Sequence, residues 1–297
     1  MAADLWEFFG YPPDDNSGEA ARSRTERDCP FQAARCTKLF PRDGNEPTGA
    51  CTVKQATRDP VVICPIRLYA NDFQILREIA DEAFSPGAQL VDGNRASQAD
   101  LSSPTVAVFG KGRGGELRLP RGAGGTGGYF VDWVLALLDS HGELDEFVAV
   151  EVQTIDTTGS YRAQRDALLS GSVAASTAGL NWENVHKRIL PQLLYKGNVL
   201  RRETRCRKGL FFVCPGPVYK SFENRLGGQP QQFPYQPGAL TSRWYDPGPQ
   251  TSEGQPRPLV FKGQLTTTLE QVATAIAGTQ GLPDRDVYAR AIREALG

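Results

Sequence analysis

The sequence predicts a mixed α/β fold in which helices pack on a sheet, preceded by a small loop-rich segment. Three features carry that expectation. Short runs rich in β-branched and aromatic residues crowd the middle of the chain, helical periodicity flanks them, and residues 1–70 combine four cysteines with scattered prolines. Runs of strand followed by runs of helix give a sheet covered by helices.

The elements follow in order. Residues 1–70 contain Pro12, Pro13, Pro30, Pro41, Pro47, Pro60 and Pro65. Breaks this frequent leave little room for regular elements, so something other than apolar burial is expected to order this unit. The second unit spans 71–297. Between Asn71 and Phe84, the apolar Phe73, Leu76, Ile79, Ala80 and Ala83 recur at helical spacing, with Asn71 as N-cap and Ser85-Pro86-Gly87 as stop. Strands are predicted at 105–109, 116–119, 129–135 and 146–153, each bounded by Gly or Pro. Helices return at 161–169 and 181–196, the second expected to kink at Pro191. A strand at 210–214 precedes residues 226–258, where 5 Gly and 7 Pro predict a long loop. A short strand at 259–261 and helices at 266–276 and 284–296 close the chain.

Composition narrows the chemistry. The 297 residues carry 33 Lys plus Arg against 34 Asp plus Glu, with 40% hydrophobic residues and 23% charged, the balance of a globular domain. Mean hydropathy is −0.38, and no apolar run approaches the ~20 residues that cross a bilayer. The N-terminus carries acids where a secretory signal carries Lys or Arg, so a cytoplasmic protein without a membrane partner is expected. His141 and His186 are the only histidines, which excludes three-His zinc sites and H-E-x-x-H proteases. Catalysis is left to carboxylates or thiols.

The run Val148-Ala149-Val150-Glu151-Val152-Gln153 is the most informative. A strand alternates its side chains, so Ala149, Glu151 and Gln153 share one face and the valines the other. In the preceding run, Asp132 shares a face with Phe130 and Val134. A carboxylate buried in an apolar strand is neutralised, paired or bound to metal. Two on adjacent strands repel unless a cation lies between them, and Mg²⁺, which binds through one or two carboxylates and keeps waters, meets that need. Glu116 is a third candidate acid. The competing reading places all three on a solvated sheet face.

Cys29, Cys36, Cys51 and Cys64 form the second constellation, spaced C-x6-C-x14-C-x12-C. Four thiolates make a tetrahedral metal site that can order a small core, but the paired C-x2-C knuckles are absent, leaving free thiols or disulfides open. Cys206 and Cys214 are expected to be buried thiols. Between His186 and Lys208 lie Lys187, Arg188, Lys196, Arg201, Arg202, Arg205, Arg207 and Lys208 against Glu203 alone, a run suited to phosphate neutralisation or to a solvated helix face. Arg162 and Arg165 follow the acid-bearing strand and are candidates for reading guanine. Gly122, Gly124 and Gly127 match a dinucleotide fingerprint, but a strand follows where a helix is required, and Lys111 lacks the Ser or Thr of a phosphate loop.

The stretches Phe130-Val131-Asp132-Trp133, Val150 to Asp156 and Gly159-Ser160-Tyr161 together resemble the active-site region of the NotI family of type II restriction endonucleases. Glu7 to Gly10, Cys29-Pro30-Phe31, Cys64-Pro65, Gly114 to Leu117 and Asn184 to Arg188 extend the resemblance, in the same order, to about residue 200. It implies a PD-(D/E)xK fold in which Asp132 and Glu151 hold Mg²⁺ at the scissile phosphate, Gln153 stands at the usual Lys position and Glu116 is accessory. Gln cannot act as a base, so deprotonation of the attacking water would rest on the metal. The resemblance also implies Fe, with Zn as the other thiolate metal, at Cys29, Cys36, Cys51 and Cys64. The expected partner is double-stranded DNA, contacted through Arg162, Arg165, Lys187, Arg188, Arg201 and Arg202. A homodimer matches a two-fold site, a short G/C-only palindrome with GGCC among the candidates for its core. A companion DNA methyltransferase is expected without stable association. The competing functions are a non-catalytic DNA-binding protein and a repair or nicking nuclease on the same fold.

Overall fold

The computed structural model describes residues 2–40, 46–119, 129–228, 230–278 and 284–296. Strand β1 (Ala3–Phe8) pairs antiparallel with β2 (Ala50–Gln55), which pairs with β3 (Val61–Val62) in a three-stranded sheet. Helix α1 (Gly18–Glu26), capped by the Ser17 hydroxyl, lies between β1 and β2 in the chain. Apolar burial does order this segment, contrary to the expectation from its prolines: Phe8, Phe9, Phe31, Phe40, Val53 and Val62 belong to one hydrophobic cluster that also runs through the rest of the described chain. A buried ion pair locks it. Arg67 donates from Nε and Nη2 to the Glu7 carboxylate at 2.9 and 3.0 Å, both side chains 0% exposed, and the Thr52 hydroxyl also donates to Glu7.

Helix α2 (Ala70–Ala83) buries Ile75, Leu76, Ile79 and Ala80, the predicted apolar face. Asn71 is not its cap. Asn71, Asp72 and Phe73 make a left-handed turn, with φ of 57°, 54° and 58°, and Asn71 Nδ2 donates to Gln74 Oε1 at 2.8 Å.

The main sheet has seven strands: β4 (Gln89–Asp92), β5 (Thr105–Gly110), β6 (Trp133–Leu138), β7 (Leu144–Val152), β8 (Leu210–Pro215), β9 (Ala239–Pro247) and β10 (Leu259–Thr268). Their spatial order is β10-β9-β8-β7-β6-β5-β4. The pairs β4/β5, β7/β8 and β8/β9 are parallel and the others antiparallel, so the sheet is mixed. Between β7 and β8 run α3 (Arg162–Ser170) and α4 (Leu190–Leu200), and α5 (Gly216–Arg225) leaves β8 directly. Phe73 of α2 packs on Trp133, while Phe222 of α5 packs on Phe212, so helices cover the sheet. Helix α6 (Leu269–Ala277) lies against α4, where a Cβ at Gly197 would come within 2.6 Å of Leu269. Helix α7 (Val287–Leu296) ends the described chain, and no described helix is long and apolar enough to cross a membrane.

Several boundaries differ from the sequence reading. The 226–258 segment is not a continuous loop, because β9 lies inside it between Pro237-Gly238 and Pro247-Gly248. Counting prolines and glycines over the whole segment hid the residues between them. Strand β10 runs on to Thr268, since the β-branched Thr266, Thr267 and Thr268 extend it, and the Thr268 hydroxyl then caps α6. The α-helix is interrupted just ahead of Pro191, in line with the expected kink or interruption. A π-turn at Val185–Ile189 precedes it, and Pro191 falls in the first turn of α4, where its missing N–H matters least. The predicted 129–135 strand divides into Tyr129–Phe130 and β6, with Asp132 in the bend between. Glu116 lies in a loop before the short strand Arg118–Leu119, and the glycine fingerprint at 122–127 lies outside the described residues.

Arg67→Ala strands the Glu7 charge in the core, so we expect a loss of about 3–5 kcal/mol of unfolding free energy in a denaturant titration. Loss below 1 kcal/mol would show that Glu7 finds other compensation.

Candidate active site

Glu151 is one residue from the end of β7, the central strand of the sheet, with β6 on one side and β8 on the other. Pairing of Trp133 with Val150 brings the bend that opens β6 beside the end of β7. The Val152 N–H donates to Asp132 Oδ2 at 2.8 Å, so the backbone of the Glu151 strand fixes the Asp132 carboxylate. Glu151 is 1% exposed. Its Oε1 accepts from Lys196 Nζ at 2.5 Å and from Gln153 Nε2 at 2.8 Å, while Oε2 is buried without a hydrogen-bond partner among the described residues. An unpaired buried carboxylate oxygen is costly, and a cation satisfies it.

The electrostatics agree. Burial, then the charge of Glu151, push the Asp132 carboxyl up to about 6, and the more distant Glu116 adds to that. The Val152 N–H and the Lys196 ammonium pull it back. Tyr69 closes the apolar side: its hydroxyl accepts from Trp133 Nε1 at 3.2 Å, and burial with the nearby Asp132 and Glu151 charges raises its pKa. The structure brings Asp132, Glu151 and Gln153 together, Glu151 and Gln153 on one face as their spacing implied, and adds Lys196. Nothing in the sequence linked Lys196 to Glu151 beyond its membership in the basic run. Glu116 is exposed on its loop, within electrostatic influence but not in contact. Among the described residues no three His, Cys, Asp or Glu side chains are arranged to hold a metal ion, and Asp132 and Glu151 are the two carboxylates that lie together here. That donor set suits Mg²⁺, which accepts few protein ligands and keeps waters for substrate oxygens to replace.

The basic run divides between opposite sheet edges. Arg205 and Arg207 pair with Asp145, and Arg207 and Lys208 with Glu146, at the start of β7. Five residues of strand put Glu146 roughly 17 Å from Glu151. Arg201 pairs with Glu270 of α6, and Arg202 is exposed. Acids remote in sequence thus supply the partners that local spacing lacked. Lys187 pairs with Glu183 at 2.5 Å and Arg188 with Asp156 at 3.2 Å. Arg162 lies over the Phe40 ring at 3.9 Å and 3.7 Å from Glu46. Arg165 faces inward, bonded to Glu46 and Asp166 at 2.6 Å each and to the Pro47 carbonyl at 3.0 Å; these contacts make it a structural residue.

Cys29, Cys36, Cys51 and Cys64 are all buried and unbridged and line one small pocket, with Lys38 among them donating to the Ile63 carbonyl at 2.6 Å. Burial pushes the Cys29 thiol up to about 12 and raises those of Cys51 and Cys64, so without a metal they stay protonated. As arranged, no three of these sulfurs close on an ion. Cys206 and Cys214 are buried and free.

A large groove, about 1010 Å³, opens at the ends of β8 and β9, lined by Arg58, Trp182, Tyr219, Lys220, Trp244 and Lys262. These strands end on the same sheet edge as β7. Trp244 lies two strands across from Glu151 and two residues further along, so at about 4.8 Å per strand and 3.3 Å per residue the groove starts roughly 12 Å from Glu151.

Comparison with known proteins gives one family. The chain matches the family model of restriction endonuclease NotI over residues 16–224, which includes Asp132, Glu151, Gln153, Lys196 and all six cysteines. No curated protein matches it.

A raised Asp132 pKa means the folded protein binds a proton more tightly than the unfolded chain. Without metal, this site's stabilising contribution is therefore complete below about pH 4 and is lost as pH rises through about 6. A divalent cation needs the ionised form, so Mg²⁺ should raise the melting temperature at pH 7.5 and not at pH 5. An equal rise at both would remove Asp132 from the metal site.

Proposed function

The chain belongs to the NotI family of type II restriction endonucleases, site-specific deoxyribonucleases of double-stranded DNA, and on that footing we propose that Asp132 and Glu151 are the Mg²⁺-binding pair of a PD-(D/E)xK active site. The observation that carries this reading is the buried, unpartnered Oε2 of Glu151 beside the backbone-held Asp132 carboxylate. A divalent cation there supplies positive charge to the phosphoryl oxygens and leaving group as the phosphodiester is hydrolysed. The chain's own groups do the rest. Val152 N–H fixes Asp132, Gln153 and Lys196 fix Glu151, and Tyr69, Trp133 and Phe73 wall the acids off on the apolar side. Gln153 is neutral and positions rather than accepts a proton. Glu116 is the accessory acid, within electrostatic influence of Asp132 when DNA is absent.

The duplex is proposed to lie along the sheet edge shared by β7, β8 and β9, crossing the groove of Trp244 and Lys262. At 3.4 Å per base pair, a groove roughly 12 Å from the cut lies about three to four pairs away, within a short recognition site. Lys187 and Arg188 follow β7 on that edge, and Arg162 precedes them, which keeps all three as candidate contacts. The run Arg201 to Lys208 and the inward-facing Arg165 are poor candidates. A homodimer cutting both strands of a G/C-only palindrome, with GGCC among the candidates for its core, is the expected assembly and target, by likeness to the family and the symmetry of a palindrome. The four buried thiols in one pocket support Fe or Zn as a structural metal, whose binding would release their protons and draw the sulfurs together.

Three measurements check this. Plasmid with Mg²⁺ should give discrete double-strand fragments and none with chelator, and nicks alone would favour a nicking nuclease. Asp132→Ala and Glu151→Ala should each lower cleavage at least 10³-fold while retaining DNA binding in Ca²⁺, and cutting within tenfold of the parent would remove that residue from the metal pair. Metal analysis should find one Fe or Zn per chain, lost in Cys51→Ser; a metal-free, folded protein would make the cysteines plain core thiols.

A further inference from the structure

We infer that Lys196 is a positioning residue of the catalytic pair, anchoring Oε1 of Glu151 so that Oε2 is the oxygen presented to the cation. The inference rests on the carboxylate-pair reading above. Three observations carry it. The contact is 2.5 Å and almost dry, with Lys196 14% and Glu151 2% exposed, so it is not one of the weak solvated pairs that crowd the rest of the basic run. The division of labour on Glu151 is clear: Lys196 and Gln153 both donate to Oε1, and among the described residues nothing donates to Oε2. Lys196 is also the cation whose charge acts on Asp132, where the opposing groups are Glu151 on β7 and Glu116 on its loop, with Tyr69 packed alongside.

Helix α4 holds the ammonium in place. Leu193 and Leu200 are buried, and the close approach of Leu269 at Gly197, the next residue, pins the backbone that carries Lys196. Gln153 stands two residues beyond Glu151 on the same face and donates a hydrogen bond but carries no charge. Two carboxylates and one amide leave the site without positive charge of its own until the helix supplies it. The motif on the strand is therefore completed from an element 45 residues further along the chain.

A plain counter-ion and a positioning residue differ in what their loss does. Removing a counter-ion makes the site more negative, so Mg²⁺ is held at least as tightly; removing a positioning group also lets Glu151 rotate, which lowers turnover. With full-length protein and a plasmid bearing one site, Lys196→Met should lower kcat about 100-fold or more without raising the Mg²⁺ concentration needed for half-maximal rate or weakening DNA binding in Ca²⁺. Lys196→Arg, which keeps the charge and the donors, should recover at least tenfold of that loss, and Lys196→Gln, which keeps a donor alone, should not. A kcat for Lys196→Met within threefold of the parent overturns the inference. So does loss of turnover, DNA binding and melting temperature together with no recovery by arginine, the signature of a structural role. If Lys196→Met fails to fold, the Gln and Arg variants decide by the same comparison. Absence of cleavage by the parent protein would instead overturn the nuclease reading itself.

Discussion

Two carboxylates held side by side in an apolar sheet are the constraint around which this molecule is organised. Antiparallel pairing of Trp133 with Val150 sets Asp132 against the end of β7, and the Val152 N–H locks it there. Glu151 is the more buried of the two. Charges brought this close in a poor dielectric raise each other's proton affinity, and Asp132 shows it. The site is costly to fold empty, and a cation bound there, as proposed, would relieve that cost.

The rest of the fold keeps this arrangement rigid and reachable. The parallel strands β7, β8 and β9 end on one edge, so the acids and the large groove share a side of the molecule. Helices cover the sheet faces; α4 brings Lys196 to Glu151, and the aromatic group of Tyr69, Phe73 and Trp133 packs beside Asp132. The N-terminal segment is tied to this body by a common core and its own buried ion pair, Glu7 with Arg67. Within the basic run, Arg201, Arg205, Arg207 and Lys208 are matched by acids from other elements.

Much of this was legible in the sequence where the signal was local. The apolar face of α2 and strands close to those predicted at 105–109, 146–153 and 210–214 followed from period, and the oddity of acids in apolar runs singled out Asp132 and Glu151 as candidates. What stayed hidden was non-local. The strand β9 was masked by the prolines around it, since breakers mark boundaries rather than whole segments. Spacing alone cannot show that Asp145 and Glu146 neutralise a basic run sixty residues later, or that Arg165 turns inward onto Glu46. Lys196 belongs to the same class. Its partner was evident as an acid, but only the path of α4 joins them.

The direct measurement is anomalous diffraction from crystals of the metal-free protein soaked in Mn²⁺. The account predicts a peak in coordinating reach of an Asp132 oxygen and of Oε2 of Glu151, with Lys196 still on Oε1. Soaked crystals in which manganese binds elsewhere, while these two carboxylates keep separate, cation-free surroundings, would contradict it.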